Sequence, residues 1–358
     1  MDTLDGNPPA PHGRGALRNV KNRYERRETI PHPEALDEED LEAAGNPATE
    51  LIEDRARTIL AKNDSPDIPF DRSINPYRGC EHGCVYCFAR PSHAWLDMSP
   101  GLDFETRILF KPNAAELLRR ELARKGYRCR PIALGSNTDP YQPAERKLRI
   151  TRAILEVLSE HAHPVTIVTK SALVTRDLDL LAPMARRRLA TVYVSLTTLD
   201  PALARTMEPR AASPARRVET LAAVTQAGVP TGVLASPMIP GLNDAELESI
   251  LEAAARAGVR TAAYLLVRLP HEVKQIFVEW LETNFPTRAA KVLHHLREMR
   301  GGALNDPRFG SRFTGQGPLA ELLERRFEVA CRRLGLEADR AELDCASFRA
   351  PGAQGVLF

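Results

Sequence analysis

Residues 75–88 read Asn75-Pro76-Tyr77-Arg78-Gly79-Cys80-Glu81-His82-Gly83-Cys84-Val85-Tyr86-Cys87-Phe88. Three thiols fall at spacings of four and three on a glycine-containing loop, compact enough to wrap them round one inorganic centre. Thiolates are the usual ligands of iron–sulfur clusters, and three of them on a four-iron cubane leave one iron open to a non-protein ligand. Cys80, Cys84 and Cys87 are therefore the candidate metal ligands. Two competing readings stand beside this one: a structural zinc site, for which His82 or His93 would supply the fourth ligand that zinc prefers, and three unrelated core cysteines.

Outward from the cysteines, short β-type runs alternate with helical patterns, the signature of a parallel sheet built from βα units. Strands are predicted at 73–77, 131–134, 165–169, 191–196, 231–235 and 261–267, and helices at 114–125, 150–161, 214–227 and 244–257, where leucine or alanine recurs at spacings of three and four. Roughly six βα repeats in about 200 residues predict the α/β class and a partial, (β/α)6-type TIM barrel, in which chemistry belongs at the C-terminal ends of the strands. That core is expected over residues 61–270. Beyond it, helical patterns at 273–283, 288–299 and 319–334 predict a helical C-terminal extension over 271–358, with a glycine-rich loop at 301–318 that reads as a lid or a linker.

Residues 1–60 carry little apolar periodicity. Six basic residues lie between Arg14 and Arg27 and six acidic ones between Glu34 and Glu42, so this stretch is expected to be a largely disordered arm. The arm is either a solvated tail or a clamp for nucleic acid or a partner.

Composition sets outer bounds. Hydrophobic residues at 43% and charged residues at 27% are ordinary for a globular protein, and a formal charge of +2 gives no global polyanion-binding signature. No run of about eighteen apolar residues occurs, and Met1-Asp2-Thr3-Leu4-Asp5 lacks the pattern of a signal peptide, so no membrane partner and a cytoplasmic location are expected. Three of the six cysteines are packed into eight residues, unlike the distributed framework of a secreted disulfide protein.

Cys80-x3-Cys84-x2-Cys87 followed by an aromatic residue, Phe88, resembles the signature of the radical S-adenosylmethionine (SAM) superfamily. The resemblance implies a [4Fe–4S] cluster and SAM as cofactors, a small reductant of the flavodoxin or ferredoxin type, and reductive cleavage of SAM to a 5′-deoxyadenosyl radical that takes hydrogen from a substrate. Later segments look like spore photoproduct lyase and its relatives, often labelled DNA repair photolyases: Ser136-Asn137-Thr138-Asp139, Val168-Thr169-Lys170, Val194-Ser195 and Met207-Glu208-Pro209. By this resemblance Lys170 meets the SAM carboxylate and Ser195 its ribose, with Glu208 and Arg217 completing a polar frame. Glu208 and Arg217 have a plainer reading as an ion pair with each other. The opening through Cys84 and the segment Ser136–Glu145 resemble an uncharacterised bacterial branch of these proteins.

Two departures matter. Ser136 stands where the lyases carry a hydrogen-donating cysteine, and a serine O–H bond is too strong for that role; Phe88 stands where they carry a tyrosine, although Tyr86 keeps an aromatic nearby. Cys129 is expected at the opposite end of its strand, and Cys331 and Cys345 read as structural thiols. No catalytic side chain is assigned. The substrate readings are nucleic acid, supported by the basic stretch 14–27, or a protein, peptide or small metabolite; a redox or sensor protein without catalysis is the remaining class. Asn137, Asp139, Tyr141, Gln142 and Glu145 form a loop that either reads a ligand or is an Asx-and-Pro turn.

Overall fold

The computed structural model describes residues 11–25, 47–337 and 342–352. Six parallel strands form the floor of the molecule: β3 (Arg72–Ile74), β6 (Ile132–Leu134), β7 (Val165–Thr169), β8 (Ala190–Ser195), β9 (Thr231–Met238) and β10 (Thr261–Leu266). Their order, β10-β9-β8-β7-β6-β3, follows the chain, and β2 (Leu60–Lys62) closes one edge by pairing antiparallel with β3. This is the predicted partial barrel. Each strand is short and rich in Val, Ile, Thr or Ala, and all six residues of β8 are buried, as a sheet covered on both faces requires. The strand predicted over 73–77 divides at Pro76, which cannot donate to a ladder. Its second half, β4 (Tyr77–Arg78), joins a separate three-stranded sheet with β1 (Glu50–Glu53) and β5 (Arg107–Phe110).

Between the strands run helices Ala114–Leu122, Ile150–Glu160, Pro214–Gln226 and Leu247–Arg256. In Ile150–Glu160 the buried residues are Ile150, Thr151, Ile154, Leu155, Val157 and Leu158, one continuous stripe against the sheet. Pro214–Gln226 starts cleanly because the Ser213 hydroxyl accepts from the Arg216 N–H and proline occupies the first turn. Two further helices, Leu178–Arg186 and Pro201–Met207, were not anticipated, the first because Pro183 interrupts its pattern. Consequently Met207 ends a helix instead of lying in a loop.

The expected disordered arm over 1–60 is corrected where it falls within the described residues. Residues 11–25 lie against the body, with Arg14, Ala16, Val20 and Asn22 buried, and residues 47–60 include β1 and enter β2. The acidic run 34–42 lies outside the described residues. At the other end, helices Val273–Asn284 and Pro286–Glu298 share an apolar cluster with Cys84, Val85, Tyr86 and Met207, so they cover the mouth of the barrel. Helix Pro318–Leu334 packs on Leu247–Arg256 through Arg326–Glu248 at 2.6 Å and Arg333–Glu252 at 2.5 Å. The loop before it is pinned: the Leu266 N–H donates to Phe313 O at 2.8 Å, and Arg312 pairs with Asp67. Among the described residues no helix is long and apolar enough to cross a membrane.

Candidate functional site

The cysteine loop leaves β4 and is folded first by its own backbone. The Gly83 N–H donates to Cys80 O at 3.3 Å, Cys87 N–H to Cys84 O at 3.2 Å and Arg90 N–H to Cys87 O at 3.2 Å. Gly83 sits at φ 68°, a left-handed conformation that glycine adopts without steric cost, and a Cβ there would press on Glu105. Neighbours then fix the loop in space: Cys80 N–H donates to Phe104 O at 2.9 Å and Val85 N–H to Met207 O at 3.1 Å.

Arg90, fully buried, is the main brace beneath it. Its guanidinium donates to Cys84 O at 2.9 Å, Gly83 O at 3.2 Å and Gly101 O at 2.9 Å, and forms an ion pair with the equally buried Glu105. Glu105 in turn accepts from the Gly15 N–H at 2.9 Å and Ala16 N–H at 2.8 Å, which ties the N-terminal segment to the loop. Neither residue was singled out by sequence. A buried Arg–Glu pair fifteen residues apart leaves no periodic signal.

All three thiols are free, and Cys80 and Cys84 are buried. They are electrostatic neighbours: Cys80 feels both Cys84 and Cys87, and Cys84 feels Cys87. Burial pushes all three up, Cys84 to about 12, so they ionise only against strong positive charge such as that of bound iron. Among the described residues no three His, Cys, Asp or Glu side chains converge closely enough to hold a single metal ion. Three neighbouring thiols on one loop are a ligand set that a four-iron cluster accepts. The two histidines considered for a zinc site have other partners, His82 Nδ1 facing Asp139 at 3.3 Å and His93 Nε2 lying 3.1 Å from Arg107 O.

The Ser136–Glu145 loop turns out to be the wall that holds the cysteines. Thr138 Oγ1 donates to Gly79 O at 2.6 Å, Gln142 Nε2 to the same oxygen at 3.2 Å, and Gln142 Oε1 accepts from the Glu81 N–H at 2.9 Å. Asp139 accepts from Thr169 Oγ1 at 2.7 Å, Lys170 N–H at 2.8 Å and Tyr141 N–H at 2.8 Å. Burial opposes its charge, yet His82 and these donors hold its pKa down at about 2. Glu145 lies deeper still, accepting from Tyr77 Oη, from the Thr151 N–H at 2.9 Å and from Arg176 at 2.8 Å. Ser136 Oγ is engaged with the Asn75 side chain at 3.2 Å, and Asn137 is exposed.

Lys170 and Ser195 lie at the ends of β7 and β8, on the cysteine side. Lys170, half-buried, places Nζ 5.7 Å from the centroid of the Tyr86 ring and makes no hydrogen bond or ion pair through Nζ among the described residues. Burial works against its charge, but Cys84 and Glu208 raise its pKa above the ordinary lysine value. Ser195 is buried, and its hydroxyl makes no hydrogen bond among the described residues. Both groups are thus available to a ligand. Glu208 and Arg217, by contrast, are paired with each other at full burial. Glu208 also accepts from Tyr86 Oη and from Thr197 Oγ1 at 2.8 Å, and Arg217 donates to Ala212 O at 2.7 Å and Ser195 O at 3.2 Å. Burial disfavours the Glu208 charge, while Arg217 and Lys170 keep its pKa near about 2.

The remaining cysteines lie elsewhere. Cys129 precedes β6 at the opposite end of the strand and neighbours Cys345, and Cys331 is buried in the apolar core. Three arginines of the basic stretch, read from sequence as part of a solvated tail or a clamp, are engaged within the fold: Arg14 is buried on Glu105 O, Arg18 pairs with Glu279 at 2.7 Å and Arg23 with Glu272 at 2.8 Å.

Comparison with known proteins agrees with this fold. An uncharacterised protein of Mycobacterium tuberculosis is 38% identical over 221 residues, a match covering 61% of this chain and 65% of that protein. One from Methanocaldococcus jannaschii is 28% identical over 243 residues, covering 67% of this chain and 86% of the relative. Among solved structures, a Cys→Ser mutant of spore photoproduct lyase superposes with a TM-score of 0.58 at 15% identity, over 87% of this chain and 86% of that one. The lyase complexed with dinucleoside spore photoproduct gives 0.57 at 15% identity over 80% of each, a likeness of fold. The family model described as the radical SAM superfamily matches residues 74–254, just over half of the 358 residues and the whole span from β3 to the helix Leu247–Arg256, and the chain therefore belongs to the radical SAM superfamily.

Proposed function

We propose that this protein is a radical SAM enzyme that takes a hydrogen atom from a nucleic-acid substrate, the substrate class being supported by the likeness of its fold to the lyase complexed with dinucleoside spore photoproduct. Cys80, Cys84 and Cys87 would hold a [4Fe–4S] cluster, and Lys170 and Ser195 would hold SAM. When bound, cluster and SAM together supply a 5′-deoxyadenosyl radical, formed by one-electron reductive cleavage with the electron delivered by a flavodoxin- or ferredoxin-type protein.

The chain's own residues bind, orient and shield. The Lys170 ammonium, a compact point charge with no counter-ion in contact among the described residues, would receive the SAM carboxylate, and the Ser195 hydroxyl would meet the ribose. Glu208 and Arg217 are positioning residues: their buried pair fixes Tyr86 below Lys170 and holds the Ser195 backbone. Arg90 and Glu105 fix the loop from beneath, and Thr138, Asp139 and Gln142 from the side. Helices Val273–Asn284 and Pro286–Glu298 cover the cysteine loop with apolar side chains, which keeps water from a reactive carbon radical.

The observation that carries this reading is the set of three neighbouring free thiols beside an unpaired lysine and an unengaged serine hydroxyl. The test is anaerobic cluster reconstitution followed by dithionite and SAM, with 5′-deoxyadenosine as the product measured. A fully iron-loaded protein that forms none would sink the proposal. Cys84→Ala is expected to abolish the broad brown absorbance, and colour persisting at full intensity would remove Cys84 from the ligand set.

A further inference from the structure

At the C-terminal end of β10, beside the cysteine loop, five side chains alternate aromatic and cationic: Phe88, Arg268, Phe313, Arg312 and Phe309. The Arg268 guanidinium carbon lies 5.8 Å from the Phe88 ring centroid and 5.0 Å from that of Phe313; Arg312 lies 4.8 Å from Phe313 and 4.7 Å from Phe309. The ladder begins at the residue next to Cys87 and ends at the surface, where Phe309 is 58% exposed; Phe88 itself is 50% exposed.

Its two cations differ in one respect. Arg312 is neutralised by Asp67, at 2.8 Å through Nε. Arg268 has no carboxylate partner among the described residues, and its Nε is buried with no hydrogen bond at all. Burial, together with the like charges of Arg312 and Arg300, lowers its pKa to about 10. Arg300 adds to the positive field while using its own donors on Val267 O at 2.8 Å and Arg312 O at 2.8 Å. A cation clamped between rings, unneutralised and short of an acceptor calls for an anion, and the exposed aromatic faces beside it call for flat rings. Phosphate followed by a base, repeated along a strand, supplies both.

We propose that this ladder is the path by which single-stranded nucleic acid enters the site, with Arg268 receiving a phosphate and Phe88 and Phe309 stacking bases. The inference rests on the nucleic-acid reading above and names the residues that would carry it. An acidic peptide shares the negative charge but offers no flat faces.

The test uses reconstituted holoenzyme and fluorescence anisotropy with short single-stranded DNA and RNA oligonucleotides, base-bearing and abasic, at two salt concentrations. Arg268→Ala is expected to weaken base-bearing and abasic strands alike, by about tenfold, and to lower the salt dependence by about one phosphate contact. Phe88→Ala is expected to weaken the base-bearing strand by about tenfold and leave the abasic strand unchanged. Phe88 is half exposed, so its replacement keeps the test open should Arg268→Ala fail to hold its cluster. Wild-type affinity in both variants, no salt-dependent binding by the parent protein, or tighter binding of a poly-glutamate peptide than of any oligonucleotide would overturn the proposal. The DNA and RNA arms distinguish the sources of phosphate. Since binding needs no SAM cleavage, loss of 5′-deoxyadenosine formation alone would overturn the chemistry and leave the ladder standing.

Discussion

Lys170 is the residue whose surroundings most constrain what it can do. An ammonium held over Tyr86, raised in pKa by Cys84 and Glu208 against the opposing effect of burial, remains charged throughout the neutral range. Among the described residues it touches no carboxylate, so a ligand carboxylate gains a charge-assisted hydrogen bond worth roughly 1.5–3 kcal/mol. Lys170→Ala is accordingly expected to raise the dissociation constant for SAM by roughly ten- to a hundredfold, measured by calorimetric titration into reconstituted protein. Cluster absorbance should stay at the parent level, because no bond holding the cysteine loop runs through Nζ. An unchanged SAM affinity would remove Lys170 from the binding site. Arg90 illustrates the opposite situation: every donor meets a loop carbonyl or Glu105, leaving nothing for a ligand, and its part is to hold Cys84 in place.

At the scale of elements, the site is built where strand ends meet the cysteine loop. The segment after β6 carries Thr138, Asp139 and Gln142 to Gly79, Glu81 and His82, so the strand's end and the cluster-binding loop behave as one unit. Asp139 is its hinge pin, with three donors and a histidine on two oxygens. Asp139→Asn turns one acceptor into a donor that faces existing N–H groups, a mismatch costing about 1–3 kcal/mol. The expected result is a lower urea midpoint and faster loss of iron on exposure to a chelator; a variant matching the parent in both would show that the wall does not support the loop.

The whole molecule is held shut from both ends of the chain. Residues 11–25 reach across the loop, where Gly15 abuts Gly83 so closely that a Cβ would collide with its carbonyl, and Arg18 and Arg23 fasten the segment to Glu279 of helix Val273–Asn284 and to Glu272 just before it. At the far end of the barrel the C-terminal segment docks through Phe348, whose ring lies tilted against Tyr127 and edge-on to His163, and through Arg349 N–H on His161 O at 2.9 Å. His163 is buried there, hydrogen-bonded at 2.8 Å to Tyr127 Oη, and burial holds its pKa down at about 4, with Arg72 and His161 lowering it further. The sign follows from linkage: the unfolded imidazole, with a pKa of about 6.5, binds protons that the folded one refuses. Its contribution is fully present above about pH 6.5 and is lost as pH falls toward about 4. Thermal midpoints should therefore drop between pH 7 and 4.5, and His163→Phe should make that drop shallower. An identical slope in the variant would show that another group governs it.

What the sequence by itself determined is whatever repeats or clusters locally. The three cysteines, the six parallel strands and the helices Ile150–Glu160 and Pro214–Gln226 were legible because thiol spacing and apolar periodicity report the burial of a single face within a short window. The folding of residues 11–25, the Arg90–Glu105 brace and the Arg268 ladder were not. Arg18 finds its carboxylate 261 positions away, and Phe88, Arg268 and Phe313 meet only in the folded barrel. A charge looks solvated in sequence until tertiary structure brings it a partner, and for that reason Arg14, Arg18 and Arg23 read as part of a free arm while the fold uses them in a strap.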